Sequence, residues 1–317
     1  MGTSGGGVRP VFGAVEGGGT KFVCMVGTSP SDVVDEITIP TTDPVETIGE
    51  VIAFFQRPRP DVQLMAVGVA TFGPIGLDPN QSTYGCVLKS TKEHWSGARI
   101  LAPLSRRLGV PLGWDTDVNG SVLGELRWGA ARGLDSALYL TIGTGIGGGI
   151  AVNGEPLHGL MHPEVGHVPV PTLDGDSFPG ICSFHGRCLE GVACGPALAA
   201  RAGRPVPEIS ADDPIWDLEA RYLAYGISAA LLVVSPKRII LGGGVMHQRH
   251  LLPKIRRDLV EVLNGYVDMP ELREGIDSYV VPAELGQKAG LYGALVLAER
   301  ALASIGKVPF SSGREVE

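Results

Sequence analysis

Along the chain, short apolar runs closed by Gly, Pro, Asp or Thr alternate with longer stretches in which apolar residues recur every third or fourth position. The runs at 11–15, 22–26, 64–69, 137–142, 149–152 and 238–241 predict strands. The stretches at 47–55, 100–108, 119–131, 195–202, 218–234, 251–263 and 288–304 predict helices. Strands alternating with helices give an α/β class. Residues 1–10, rich in Gly, and 311–317 fall outside the pattern and are expected to be disordered ends.

One piece of this pattern occurs twice. Residues 11–27 read VFGAVEGGGTKFVCMVG, and residues 137–154 read ALYLTIGTGIGGGIAVNG. Each predicts a strand, a turn of Gly and Thr, and a second strand: a hairpin whose tip is stripped of side chains. Two similar halves, each bringing a glycine tip to one cleft, are the expected architecture, and 317 residues suffice for two domains.

Composition narrows the class. Hydrophobic residues make up 44% and charged residues 19%, enough apolar material for a sizeable core. The net charge of -8 opposes a nucleic-acid surface. No apolar run reaches membrane-spanning length and no signal-like segment opens the chain, so the expectation is a soluble cytoplasmic protein without membrane or nucleic-acid partners.

The glycine clusters direct attention to chemistry. The first tip is Glu16-Gly17-Gly18-Gly19-Thr20-Lys21 and the second is Gly143-Thr144-Gly145-Ile146-Gly147-Gly148. Backbone N–H groups at such tips bind phosphate oxygens, the Thr hydroxyls add to them, and Lys21 supplies a positive charge. Either tip alone is equally well a hairpin turn without a ligand; two, each with a Thr, favour a nucleotide. Gly143-x-Gly145-x-x-Gly148 also satisfies the dinucleotide fingerprint. That fingerprint needs a helix directly after it, whereas 149–154 read as a strand and a turn, so NAD is discounted.

Trp114-Asp115-Thr116-Asp117-Val118-Asn119 follows an apolar stretch at 110–112 and precedes a predicted helix. A carboxylate at a strand end can take the proton of a hydroxyl that attacks phosphorus; a short acid there also caps a helix. Spacing does not decide between Asp115 and Asp117. The turn Gly242-Gly243-Gly244 would let an adenine or ribose lie against the backbone, or is an ordinary strand-to-helix turn. Trp216 either lines an adenine pocket or is a packed aromatic.

The cysteines are Cys24, Cys86, Cys182, Cys188 and Cys194. Cys24 reads as a small buried residue of a strand. Cys182-x-x-His185-x-x-Cys188 offers three metal ligands within one short loop, and of His158, His162 and His167 the last is the best fourth. Thiolate and imidazole donors favour zinc. The stretch 168–180, rich in Pro, Gly and Asp, has little core of its own and would gain from a metal staple, the alternative being a Cys/His cluster without metal.

Together these motifs resemble the ROK family of sugar kinases, within the actin/hexokinase-like ATPase superfamily, from about residue 11 to about residue 303. The resemblance implies a two-domain actin/hexokinase-like (ribonuclease H-like) fold with an interdomain cleft and a zinc-stapled loop. A small α/β domain is expected at 10–116, a large α/β domain at 117–290 with the zinc loop at 162–190, and a helix at 291–305 returning to the small domain. It implies that Gly17, Gly18, Gly19, Thr20, Lys21, Thr144 and Gly145 meet ATP phosphates and that Gly243 and Gly244 meet the adenosine. Asp117, in Asp117-Val118-Asn119 followed by Gly124-Glu125, takes the place of the general base on the sugar 6-hydroxyl. Glu164 and His167, in Glu164-x-Gly166-His167, and Glu190 take the places of sugar-binding residues, His167 also joining Cys182, His185 and Cys188 around Zn2+.

Three positions depart from the common family pattern. Glu16 stands where many members carry Asp. The zinc loop is Cys-x-x-His-x-x-Cys in place of Cys-x-Cys-Gly-x-x-Gly-Cys. Thr116 replaces an Asn that contacts sugar in the glucokinases. The last two, with the opening from Glu16 to Cys24 and Phe72-Gly73-Pro74, are similar to the bacterial fructokinase branch. That branch implies phosphorylation of D-fructose to fructose 6-phosphate with ATP and Mg2+ by a homodimer, mannose and glucose being the alternative sugars. Sugar-responsive repressors of the same family need a DNA reader ahead of the first tip, and the few Gly-rich residues before Val15 lead us to expect none. A sugar-binding regulatory protein without turnover is the non-enzymatic alternative.

Overall fold

The computed structural model describes residues 8–305; the ends expected to be disordered at 1–7 and 311–317 lie outside the described residues. The chain divides into two compact units, Met1–Thr116 with Ala294–Glu317, and Asp117–Gly293.

The first unit is built on β1 (Arg9–Gly17), β2 (Lys21–Ser29), β3 (Asp32–Pro40), α1 (Pro44–Phe55), β4 (Val62–Thr71), α2 (Leu101–Leu108) and β5 (Leu112–Thr116). Its sheet runs β3-β2-β1-β4-β5. The first three strands form an antiparallel meander, and β4 and β5 lie parallel to β1. Alternate residues Val11, Val15, Phe22, Cys24, Val67 and Val69 are buried with Ile48, Val51, Phe54 and Phe55 of α1 and Leu104 of α2. Each such side chain stabilises the fold by roughly 1.5–3 kcal/mol. Cys24 is fully buried.

Local chemistry moves some boundaries from the predicted ones. The apolar period starts α1 at 47, but Asp43 accepts the N–H groups of Val45 (2.9 Å) and Glu46 (3.2 Å) and Pro44 occupies the first turn, so the helix starts earlier. Arg9 and Pro10, expected to be disordered, extend β1: Arg9 pairs with Val62 and its N–H donates to Asp61 O at 3.0 Å. β3 is a sheet edge in which only Ile39 is buried, so it carries no apolar run to read.

The second unit contains α3 (Asp117–Trp128), β6 (Ala137–Ile142), β7 (Ile146–Val152), β8 (Glu155–Pro156), α4 (Leu189–Ala193), α5 (Gly195–Ala202), α6 (Ile215–Val234), β9 (Ile239–Gly242), α7 (Leu251–Leu263), α8 (Pro270–Arg273), α9 (Ile276–Tyr279), β10 (Val280–Pro282) and the start of α10 (Ala289–Ser304). Its sheet runs β10-β9-β6-β7-β8, with β6, β7 and β8 antiparallel and β9 and β10 parallel to β6. The second sheet therefore repeats the order and strand directions of the first, and the likeness seen at the two hairpins extends to whole sheets. The core gathers Leu138, Leu140 and Ile142 of β6 with Trp216, Leu223 and Ile227 of α6 and Leu251, Ile255 and Leu259 of α7. Trp216 is a packed aromatic, fully buried, its indole N–H donating to Ser210 O at 2.8 Å.

The last helix serves the first unit. A Cβ on Gly68 of β4 would stand 1.8 Å from Ala294 O, and one on Gly113 of β5 would stand 2.3 Å from Leu297 O. Only glycine at these two positions lets the backbone of α10 rest on the sheet. Among the described residues no helix is long and apolar enough to cross a membrane.

Candidate active site

The second unit carries most of the predicted residues, and three consecutive glycines of β7 bring them together. In a strand, neighbouring residues face opposite sides. A Cβ on Gly147 would meet Val118 Cγ1 at 2.9 Å, and one on Gly149 would meet Val118 O at 1.9 Å, so the first turn of α3 lies on β7. On the other face a Cβ on Gly148 would meet Val165 at 2.6 Å, and one on Gly166 would meet Ile146 O at 1.8 Å. The turn Glu164–His167 is thereby seated against the same strand. β7 begins at Ile146, earlier than the predicted 149, because these glycines belong to the strand as a saddle and not to the tip.

Asp117 is the first residue of α3, directly after the end of β5, where the predicted start at 119 would have left it outside the helix. Its Oδ1 accepts the N–H of Val118 at 2.9 Å. Loss of surrounding water pushes its carboxyl up to about 6, against the opposing pull of that N–H. Desolvation first, and then the negative charges of Glu190 and Asp117, push Glu164 up to about 7, although its side chain keeps 38% exposure. Three acidic groups thus share one electrostatic neighbourhood. Asp115 differs: it is 1% exposed and its Oδ1 accepts the N–H of Thr116 at 2.8 Å. Thr116 is buried at the end of β5 in the first unit.

The second tip is a tight turn closed by Gly143 N–H donating to Gly145 O at 2.9 Å. Ile146 N–H donates to Glu190 Oε2 at 3.0 Å. Two of the N–H groups read from the sequence as phosphate donors are therefore engaged within the protein, and Thr144 is the exposed residue of the tip. Gly243, with φ 90°, lies on the end of β6, where a Cβ would stand 2.4 Å from Ile142 O; Gly244 adjoins Gly143. Tip and Gly-rich turn are thus neighbours. In the first unit, Gly18 N–H donates to Lys21 O (2.9 Å) and the Thr41 hydroxyl to Gly18 O (2.7 Å), which leaves Gly19, Thr20 and Lys21 exposed on a braced turn behind the buried Gly17.

His167, Cys182, His185 and Cys188 place their donor atoms within 4.8 Å of one another. Sγ of Cys182 lies 3.8 Å from His167 Nδ1 and 3.7 Å from His185 Nδ1, and Sγ of Cys188 lies 3.5 Å from His167 Nδ1. Metal–ligand bonds of about 2.0–2.3 Å in a tetrahedron give ligand separations of about this size, and two thiols with two imidazoles suit a borderline-soft dication. The four residues fit a metal ion. Burial pushes the Cys188 thiol up to about 11, and a dication would favour its thiolate instead. The other two upstream histidines are placed elsewhere: His162 Nδ1 is 3.5 Å from Glu164, and His158 Nε2 is 3.4 Å from Asn119 Nδ2.

Two acids with structural work carry no local signal in the sequence. Asp176 accepts from Arg201 at 2.6 and 2.8 Å, from Arg187 at 3.1 Å and from the Tyr222 hydroxyl. Arg201 foremost holds its carboxyl well below the usual carboxylate range. Its partners lie 11, 25 and 46 residues along the chain, too far for a motif. Buried Glu125 accepts the N–H groups of Ala130 (2.6 Å), Leu285 (2.9 Å) and Glu284 (3.3 Å), tying the end of α3 to the segment before α10.

A profile of the ROK family matches residues 12–301. The fructokinase of Pediococcus pentosaceus is 41% identical over 292 residues, 92% of this chain and 99% of that protein. The fructokinase of Zymomonas mobilis is 37% identical over 295 residues, 92% and 97% of the two chains. A glucokinase of Halalkalibacterium halodurans is 27% identical over 319 residues, covering 88% and 92%. Among solved structures, the ROK hexokinase from Thermus thermophilus superposes with a TM-score of 0.76 at 26% identity over 93% of this chain and 99% of that one. The fold is shared as well by a ROK glucokinase from Streptomyces griseus, solved with glucose and AMPPNP, with a TM-score of 0.69 at 24% identity over 92% and 99%.

Proposed function

The chain belongs to the ROK family, whose matching members include fructokinases, and from that premise we propose that it transfers the γ-phosphate of ATP to D-fructose with Asp117 as general base. The observation that carries the sugar is the gap in identity between fructokinases at 37–41% and a glucokinase at 27%. Thr116, in place of the Asn of the glucokinases, agrees with it.

The chemistry asks one thing of Asp117. As the 6-hydroxyl oxygen of the sugar bonds to the γ-phosphorus and the bond to the ADP oxygen breaks, the hydroxyl proton passes to the Asp117 carboxylate. A carboxyl lifted to about 6 is ionised at neutral pH yet basic enough to accept that proton. Glu164, His167 and Glu190 are assigned to the sugar hydroxyls, Thr144 and Gly145 to phosphate oxygens, and Gly243 with Gly244 to the adenosine. The tip from Gly17 to Lys21 in the first unit carries the same phosphate assignment. Zn2+ is the ion assigned to His167, Cys182, His185 and Cys188, where it would hold the loop before α4 and supply no step of the transfer. A magnesium complex of ATP as donor and a homodimer are drawn from the family resemblance, and the cytoplasmic setting from a sequence in which no apolar run reaches membrane-spanning length.

A panel of fructose, mannose and glucose with ATP, read as ADP release, tests the reading. Fructose should give the highest kcat/KM. Preference for glucose or mannose would reassign the substrate, and no ADP release with any hexose would sink the kinase.

A further inference from the structure

We propose that Glu190 is a positioning residue through which the metal loop sets the shape of the second glycine tip. The inference rests on the reading of that tip as a phosphate cradle. One short segment holds the tip at both ends: Ile146 N–H donates to Glu190 Oε2 at 3.0 Å, and Gly195 N–H donates to Gly143 O at 2.8 Å. The carboxylate lies so close beneath the turn that a Cβ on residue 145 would stand 2.6 Å from Glu190 Oε2. A side chain at 145 would therefore push the Glu190 carboxylate from its present place, and with it the bond to Ile146 N–H.

The segment bearing Glu190 and Gly195 is fastened by the metal cluster. Cys188 is the N-cap of α4, two residues before Glu190. Leu189 N–H donates to Val168 O at 3.0 Å, next to His167, and Ile181 N–H donates to Gly191 O at 2.9 Å, next to Cys182. Three stretches of chain that meet α4 thus each carry a ligand of one cluster. A bound cation would join them through one coordination sphere and add to the core packing of Leu189, Val192 and Ala193, which with these backbone hydrogen bonds holds α4 in its absence. A shift of α4 by about 1 Å takes the Glu190–Ile146 bond out of hydrogen-bonding range and strands the Ile146 N–H. A bond to a charged acceptor of this kind biases a local equilibrium by roughly ten- to a hundredfold.

The test is hydrogen exchange of the backbone at 144–147 in the full chain. It compares zinc-loaded protein, protein stripped by a chelator and then given Zn2+ again, and the loaded variants Glu190→Ala and Glu190→Gln. Exchange at the tip should rise about ten- to a hundredfold in Glu190→Ala and on stripping, and revert with Zn2+. Glu190→Gln, which keeps an oxygen acceptor, should fall between, and β9 should stay protected throughout. ADP affinity without sugar should weaken by the same order in Glu190→Ala and in stripped protein. Tip exchange indifferent to zinc, or equal in Glu190→Ala and wild type, overturns the coupling; so does loss of protection in β9, which would mark general unfolding. If the wild-type protein binds no ADP, the phosphate reading of the tip falls, while exchange still decides whether Glu190 links loop and tip.

Discussion

Two aspartates separated by one residue each accept the N–H of the residue that follows, and the difference lies in what surrounds them. Asp115 is buried in β5, whereas Asp117 opens α3 within the electrostatic reach of Glu164. Asp117→Asn should lower kcat by about 10²–10⁴, the usual share of a general base, with sugar binding retained in calorimetry; full activity would remove the assignment. In the wild type, kcat/KM should decline as pH falls through the window between about 7 and about 6 in which Glu164 and Asp117 take up protons. The same shift has a cost in stability. A carboxyl whose pKa is raised on folding binds its proton more tightly in the folded chain, so its contribution to stability falls as pH rises from about 4 through about 6. Asp117→Asn should therefore melt about 2–4 °C above the wild type at pH 7, the advantage vanishing near pH 4. An equal difference at both pH values would contradict the raised carboxyl.

Among the elements, β7 shows both what the residue pattern reveals and what it hides. The hairpin of β6 and β7 was legible because strand, Gly turn and strand follow one another in sequence. The Cys/His cluster was legible because three of its residues share one short loop. The strand end was legible only as the pair Asp115 and Asp117, the choice of Asp117 coming from the family resemblance. The saddle role of Gly147, Gly148 and Gly149 was not, since glycine advertises absent side chains without saying what approaches them. Asp176 and Glu125 were hidden because their partners are remote or are backbone groups. Edge strand β3 and three-residue β10 were hidden for want of an apolar run. Gly149→Ala tests the saddle. Its Cβ would sit 1.9 Å from Val118 O, displacing the turn that carries Asp117. We expect a loss of about 1–3 kcal/mol in denaturant unfolding and about 10² in kcat. Gly159→Ala, with nothing within 4 Å of its added Cβ, is the matched control and should change neither. Normal turnover in Gly149→Ala would mean that the saddle does not place the base.

At the scale of the whole molecule, one five-strand plan is used twice and then specialised. The second unit carries a long loop between β8 and α4, in which the Asp176 ion cluster lies between His167 and the Cys182, His185 and Cys188 that could join it around a metal ion. Purified protein should contain about one zinc per chain, and chelation should lower its melting temperature. Mass spectrometry of the native protein finding no metal would leave the loop to Asp176 alone. The two staples differ in kind, so chelation should loosen the residues around His167 and after Ile181 while Asp176 keeps its contacts with Arg201 and Arg187.

The helix resting on Gly68 and Gly113 has a consequence for the order in which the protein can be born. The second unit is one continuous stretch up to Gly293, and its core can close while the ribosome is still at work. The first unit starts emerging earlier, yet the backbone that covers β4 and β5 is made only with residues from Ala294 onward. Its sheet must wait, partly bare, through the synthesis of everything between, an interval in which exposed apolar strands are prone to associate with one another.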